Sequence, residues 1–138
     1  LSVERGAGVF ARNCAICHAL EGQGGVLGPQ LDGVGARGAD RLLEDILDPN
    51  RNVDRAFRLT LLTLTNGSVV AGLPRGEEGE QLVFSAADGA AQEIRVRKAD
   101  VSARKETETS LMPAAFGEIL KPEELNDLLG FLLTKRPR

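Results

Sequence analysis

The chain predicts a mainly α protein interrupted by a small antiparallel β-sheet, and three observations carry that reading. Apolar residues recur at helical spacing near both ends, at Val3, Gly6 and Phe10 and again at Leu125, Leu128, Leu129 and Leu132. Between about residues 56 and 101 the period shortens to two, most cleanly in Glu93-Ile94-Arg95-Val96-Arg97. Asn66-Gly67, inside that stretch, is a strong hairpin signal. With 138 residues the chain suits one domain, 1–138, with one core.

The elements follow in order. Ser2 can cap a first helix to about Asn13, with Val3, Gly6, Phe10 and Asn13 near one face. Residues 21–35 form a glycine-rich loop. No strand precedes it and it has no Walker Lys-Ser/Thr pair, so it is not read as a phosphate cradle. Its glycines suit close approach of backbone to a flat ligand. Asp40 reads as the cap of a short second helix with Leu42, Leu43, Ile46 and Leu47 buried and Asp48-Pro49-Asn50 as its stop.

Strands are expected from Phe57, over Val69 to Leu73, over Gln81 to Ser85 and over Glu93 to Arg97, with Asp88-Gly89 as a further turn. Asn66-Gly67-Ser68 also matches a glycosylation sequon, but the hairpin turn is the better reading. Ser102 to Ser110 reads as a polar linker leading to Leu111-Met112-Pro113. The last helix opens with Pro122 at its first position and Glu123 and Glu124 in its first turn, where the macrodipole favours acid.

Chemistry concentrates in Cys14-Ala15-Ile16-Cys17-His18. Two thiols three positions apart, followed at once by histidine, form the attachment signature of c-type haem. Each thiol adds to one porphyrin vinyl group, and the adjacent imidazole is placed to bind the iron. The protein holds two Cys and one His, all in this segment. A structural zinc site needs about four ligands, and a thioredoxin-like pair expects a βαβ setting. A plain Cys14–Cys17 disulfide is the bland alternative. No Trp, no Tyr and five Phe leave a shortage of aromatic bulk that a porphyrin would fill.

His18 leaves the second axial position open. Met112 is the only methionine, and a thioether stabilises ferrous iron. It stands beside Pro113 after a polar stretch, which suits a rigid ligand loop better than core filler. Lysine, asparagine or an open position are the alternatives. Arg37, following the glycine loop, can pair with a haem propionate or be an ordinary solvated arginine.

Gly6-x-x-x-Phe10-x-x-x-Cys14-x-x-Cys17-His18, then Gly28-Pro29, Met112-Pro113 and Asp127-Leu128-Leu129-Gly130-Phe131-Leu132 resemble class I cytochromes c. The resemblance implies a class I fold, here with a β insert of about 56–101 between the second helix and the axial-methionine loop. It implies one haem c, attached at Cys14 and Cys17, with iron on His18 and Met112 and contacts from Gly28, Pro29, Leu31 and Pro113. It further implies that Gly6 and Phe10 cross the last helix near Phe131, and that Pro29 O accepts a hydrogen bond from His18 Nδ1. The insert and Ser110-Leu111-Met112-Pro113 resemble, more narrowly, the C-terminal haem-binding domain of large secreted bacterial multidomain proteins. That resemblance implies a redox partner protein or a fused dehydrogenase module as electron donor, and a periplasmic or otherwise extracytoplasmic setting.

The function expected is single-electron transfer without catalysis. A ligand-binding, sensor or peroxidase-like haem protein is the alternative, though a peroxidase needs a distal acid–base group and no second histidine exists to serve. A third reading makes the sheet a docking surface. It lacks Trp and Tyr, so sugar stacking is disfavoured. The formal charge of −3 argues against nucleic acid and anionic membrane as partners, and no apolar run approaches a membrane span. Leu1-Ser2-Val3-Glu4-Arg5 has neither the basic nor the apolar region of a secretory leader, so Leu1 reads as a mature or excised start.

Overall fold

The computed structural model describes residues 2–87 and 91–137, and the chain divides into two compact units. One comprises Leu1–Asn52 with Met112–Arg138, the other Val53–Leu111. The predicted turn at Asp88-Gly89 lies outside the described residues.

The first unit is helical. Helix α1 spans Val3–Asn13, with Ser2 Oγ accepting from Arg5 N as its cap. A short hairpin pairs β1 (Ala19–Leu20) with β2 (Gln23–Gly24). Helix α2 spans Ala39–Leu47, α3 spans Phe116–Ile119, and α4 spans Pro122–Leu133. Pro122 opens α4 as expected, and Glu124 Oε1 reaches back to Lys121 N at 3.0 Å. The cap of α2 is Gly38 (φ 83°) rather than Asp40. Asp40 sits further in, within the first turn, where its charge still faces the positive end of the helix.

Val9, Phe10, Leu42, Ile46, Phe116, Leu120, Leu128 and Leu132 form one buried cluster. Leu47, expected in the α2 stripe, and Val3, expected on the inner face of α1, are exposed. Helices α1 and α4 cross at Gly6, where a Cβ would fall on Asp127 O and lie 2.8 Å from Phe131 Cβ. Glycine is therefore required for the helices to approach this closely. Phe10 and Phe131 seal the crossing with ring centroids 5.7 Å apart at 47°.

The second unit is a five-stranded antiparallel sheet. Its strands are β3 (Arg58–Leu64), β4 (Val69–Glu78), β5 (Gln81–Ala86), β6 (Glu93–Arg97) and β7 (Val101–Ser110), in the order β6-β5-β4-β3-β7. Strands β6 and β7 lie at opposite margins of that order, yet the single 3-10 turn Lys98–Asp100 joins them. A flat sheet would hold its margins roughly 19 Å apart at about 4.8 Å per strand. Four residue steps of 3-10 helix cover only roughly 8 Å. The sheet must therefore roll. A bulge between Pro74 and Gly76 (φ 129°) bends the long β4 where a proline can be tolerated. Rolling encloses Leu62, Leu82, Phe84 and Val96, which form one buried cluster, and Arg104 covers Phe84 at 5.6 Å.

At Asn66-Gly67 the predicted hairpin forms. Gly67 N donates to Leu64 O at 2.9 Å, and only Gly67 of the turn has positive φ (87°). The loop is thus three residues with glycine in the left-handed position, not a two-residue turn.

The expectation of a mainly α protein is not confirmed, because strand accounts for 32% of the described residues. The largest single departure is Ser102–Ser110, expected as a linker and found within β7. Its side chains are largely exposed on both faces, so no alternation of hydropathy announces it. Backbone pairing with β3 holds it, and the Thr107 and Ser102 hydroxyls donate to the Leu59 and Thr63 carbonyls near the two register shifts. The sheet unit accordingly reaches beyond the expected 56–101.

Candidate functional site

Helix α1 ends where the cysteine segment begins. Cys14 N and Ala15 N both donate to Phe10 O, at 2.8 and 3.0 Å, and His18 N donates to Cys14 O at 2.9 Å. The last turn of helix thus passes into a tight loop that holds Cys14, Cys17 and His18 within one coil. Its upstream anchor is Asp127 of α4, a 5% exposed residue whose carboxylate accepts from Ser2 N (2.6 Å) and Arg5 Nε (2.9 Å). These donors hold the Asp127 carboxyl below the usual range, Arg5 contributing most.

The glycine-rich loop wraps the same segment. Gly25 N donates to Ala15 O (2.9 Å), Gly28 N to Cys17 O (2.8 Å) and Leu31 N to Ala19 O (2.8 Å). A Cβ on Gly24 would meet the His18 carbonyl, and one on Gly25 the Ile16 carbonyl. On Gly28 it would lie 2.6 Å from His18 Cε1 and 2.9 Å from Nδ1. These glycines thus admit close packing on the cysteine–histidine segment itself.

The half-buried His18 ring is fixed through Nδ1, which lies 2.7 Å from Pro29 O, the contact implied by the family resemblance. A carbonyl only accepts, so Nδ1 carries the proton and Nε2 keeps its lone pair. Burial disfavours the imidazolium and lowers the His18 pKa, partly offset by the Pro29 bond.

Both thiols are free and half-buried. Burial, with the neighbouring Cys17 as a lesser cause, pushes the Cys14 thiol up to about 11, and burial also raises Cys17. Among the described residues no three His, Cys, Asp or Glu groups are placed to hold a metal together.

Cys14, Ala15, Leu31 and Met112 all pack on the margin of the helical core. Pro113 is exposed beside Met112. Arg37 lies elsewhere: its Nη1 pairs with Asp45 Oδ2 at 3.1 Å, and Arg41 holds the other oxygen of the same carboxylate. Sequence reasoning missed two features: the anchoring role of Asp127, which the sequence presents only as part of the last helix's motif, and the Glu21–Lys135 ion pair, which at 2.8 Å bridges the β1–β2 turn to the end of α4.

Free paired thiols, a histidine with its tautomer fixed and glycine against its ring are the donor set that covalent haem requires.

Residues 3–60 match the family model of cytochrome c.

The cytochrome c match takes in α1, the cysteine–histidine segment and the glycine loop, and ends before Met112. It supports a c-type cytochrome and haem-based electron transfer. The cofactor is haem c, covalently attached and carrying iron. No curated protein matches the sequence. Among the described residues no helix is long and apolar enough to cross a membrane.

Proposed function

We propose that the protein is a monohaem electron carrier in which Cys14 and Cys17 anchor the haem while His18 and Met112 are the two axial ligands. The observation that carries the reading is the His18 ring, held by Pro29 O with its Nε2 lone pair free to coordinate. Haem c supplies one reversible electron between ferrous and ferric iron.

The protein's own groups do the rest. The Pro29 carbonyl orients the imidazole and raises its basicity. Gly28 leaves room for the imidazole ring, and Leu31, packed on the core that includes Phe10 and Leu128, would offer the haem an apolar contact. Met112 packs on that same core with Pro113 beside it, and its thioether would be the second protein ligand to the iron and would favour the ferrous state. Arg37 is committed to Asp45, so its service to a propionate would require exchanging that partner.

The sheet unit is read as an insert within one cytochrome domain, between α2 and the methionine loop. A dehydrogenase, as partner or as a fused module, is the proposed donor, in an extracytoplasmic setting where haem c is attached.

Optical spectra of the oxidised and reduced holoprotein test the ligation. A weak far-red charge-transfer band, lost on reduction and in Met112→Ala, and a ferrous spectrum unmoved by carbon monoxide are expected. Rapid carbon monoxide binding by the unaltered protein would refute a closed site and favour a ligand-binding haem protein.

A further inference from the structure

The tip of the β3–β4 hairpin carries chemistry unrelated to the haem. Asn66, Gly67 and Ser68 are all exposed. Asn66 Oδ1 accepts two hydrogen bonds, from Ser68 N at 2.9 Å and from Ser68 Oγ at 2.6 Å. This Asx turn pins the carboxamide beside the backbone that follows it. Gly67 presents no side group, and a Cβ there would meet nothing within 4 Å. Of the five asparagines, at 13, 50, 52, 66 and 126, only Asn66 precedes a glycine.

We propose that Asn66 is a site of spontaneous succinimide formation, assisted by Ser68, that converts the hairpin tip to aspartate and isoaspartate. Gly67 N attacks Asn66 Cγ, a new bond between them closes the five-membered imide, and the Cγ–Nδ2 bond of the carboxamide breaks. Ammonia leaves, carrying the proton that Gly67 N gives up. Water then adds to one imide carbonyl and that carbon's bond to Gly67 N breaks, the nitrogen regaining a proton: cleavage at Cγ gives aspartate, and cleavage at the Asn66 backbone carbonyl gives isoaspartate. Solvent water is the one co-reactant, and no oxidant or reductant enters.

The two Ser68 donors face the oxygen on which negative charge develops as Gly67 N adds, the arrangement that stabilises an oxyanion. One contact opposes the step. Gly67 N donates to Leu64 O at 2.9 Å, so attack requires the tip to open first. Exposure of the whole turn makes that opening local.

The product matters to the sheet. Either outcome adds a negative charge to a protein of formal charge −3. Isoaspartate also inserts a methylene into the backbone between positions 66 and 67. The Leu64 N–Ser68 O bond of 2.8 Å, which closes the hairpin, then loses its fit.

Peptide mapping by mass spectrometry, after the holoprotein has aged for days in warm, mildly alkaline buffer, tests the proposal. The peptide bearing Asn66 should gain about 1 Da before any other asparagine does, as NH is exchanged for O. The mass gain separates this reaction from isomerisation of Asp32 or Asp88, each followed by glycine, which leaves mass unchanged. Ser68→Ala should slow conversion about three- to tenfold, the rate equivalent of one lost hydrogen bond. Asn66 intact while Asn50 or Asn52 converts would overturn the site. An unchanged rate in Ser68→Ala would overturn the assistance by Ser68.

Discussion

Replacing Gly28 with alanine probes the contact on which the site depends most directly. The added Cβ would lie 2.6 Å from His18 Cε1, 2.9 Å from Nδ1 and 3.0 Å from Nε2. Carbon contacts settle at about 3.5–4.0 Å, so the ring must retreat by roughly 1 Å. A shift of that size stretches the 2.7 Å bond from Nδ1 to Pro29 O beyond hydrogen-bonding range. Overpacking costs about 1–3 kcal/mol and the lost hydrogen bond about 0.5–1.5, so about 1.5–4.5 kcal/mol in all.

For a protein of this size that is a fall in Tm of roughly 6–18 °C, read by circular dichroism. The yield of covalently attached haem should fall with it. Gly8→Ala is the control. Its Cβ meets only the flexible end of Arg12, at 3.2 Å, within α1, so it should stabilise by about 0.5–1 kcal/mol. A Gly28→Ala protein with unchanged Tm and full haem content would refute the argument that glycine is needed against the ring.

Acid should loosen the α1–α4 anchor. The Asp127 pKa is depressed in the fold, so its contribution is complete above the unfolded value of about 4 and disappears as pH falls through the lower folded value. Thermal unfolding of Asp127→Asn should show a flatter profile in that window than the unaltered protein. In the haem-free protein the Cys14 thiol, at about 11, should alkylate more slowly than Cys17 near neutrality and accelerate as pH rises toward that value. Because its folded pKa is raised, the stability it contributes holds below the unfolded value of about 9 and is lost as pH climbs through the folded one. Gly35→Ala should cost about 1–3 kcal/mol, since its Cβ would lie 2.7 to 2.9 Å from the Leu132, Leu133 and Lys135 carbonyls. Phe84→Ala, at 1% exposure, should destabilise the sheet unit by about 3–5 kcal/mol, seen as faster amide exchange across Val53–Leu111.

The elements legible in advance were those whose cause lies within a few contiguous residues. Ser2 and Pro122 start helices through local backbone groups, and Asn66-Gly67 reverses the backbone through one left-handed glycine. Glu93 to Arg97 alternates because Ile94 and Val96 face the buried cluster of Leu82 and Phe84. Strand β7 was illegible for the converse reason: with both faces largely in water, only its pairing with β3 defines it. Asp40 misled because a carboxylate in the first turn serves the helix dipole almost as well as a cap does.

The cysteine–histidine segment, with its implied chemistry, was determined by sequence alone, because attachment of a porphyrin needs fixed covalent spacing and nothing distant. What tertiary structure decided is how that segment is held. Gly24, Gly25 and Gly28 lie against it, Pro29 fixes the imidazole tautomer, and Asp127 ties the start of α1 to α4. Arg37, ambiguous in the sequence, is turned to Asp45. Each of these joins residues separated along the sequence, and a hydrogen bond or steric limit exists only once folding has brought its two partners within a few ångströms.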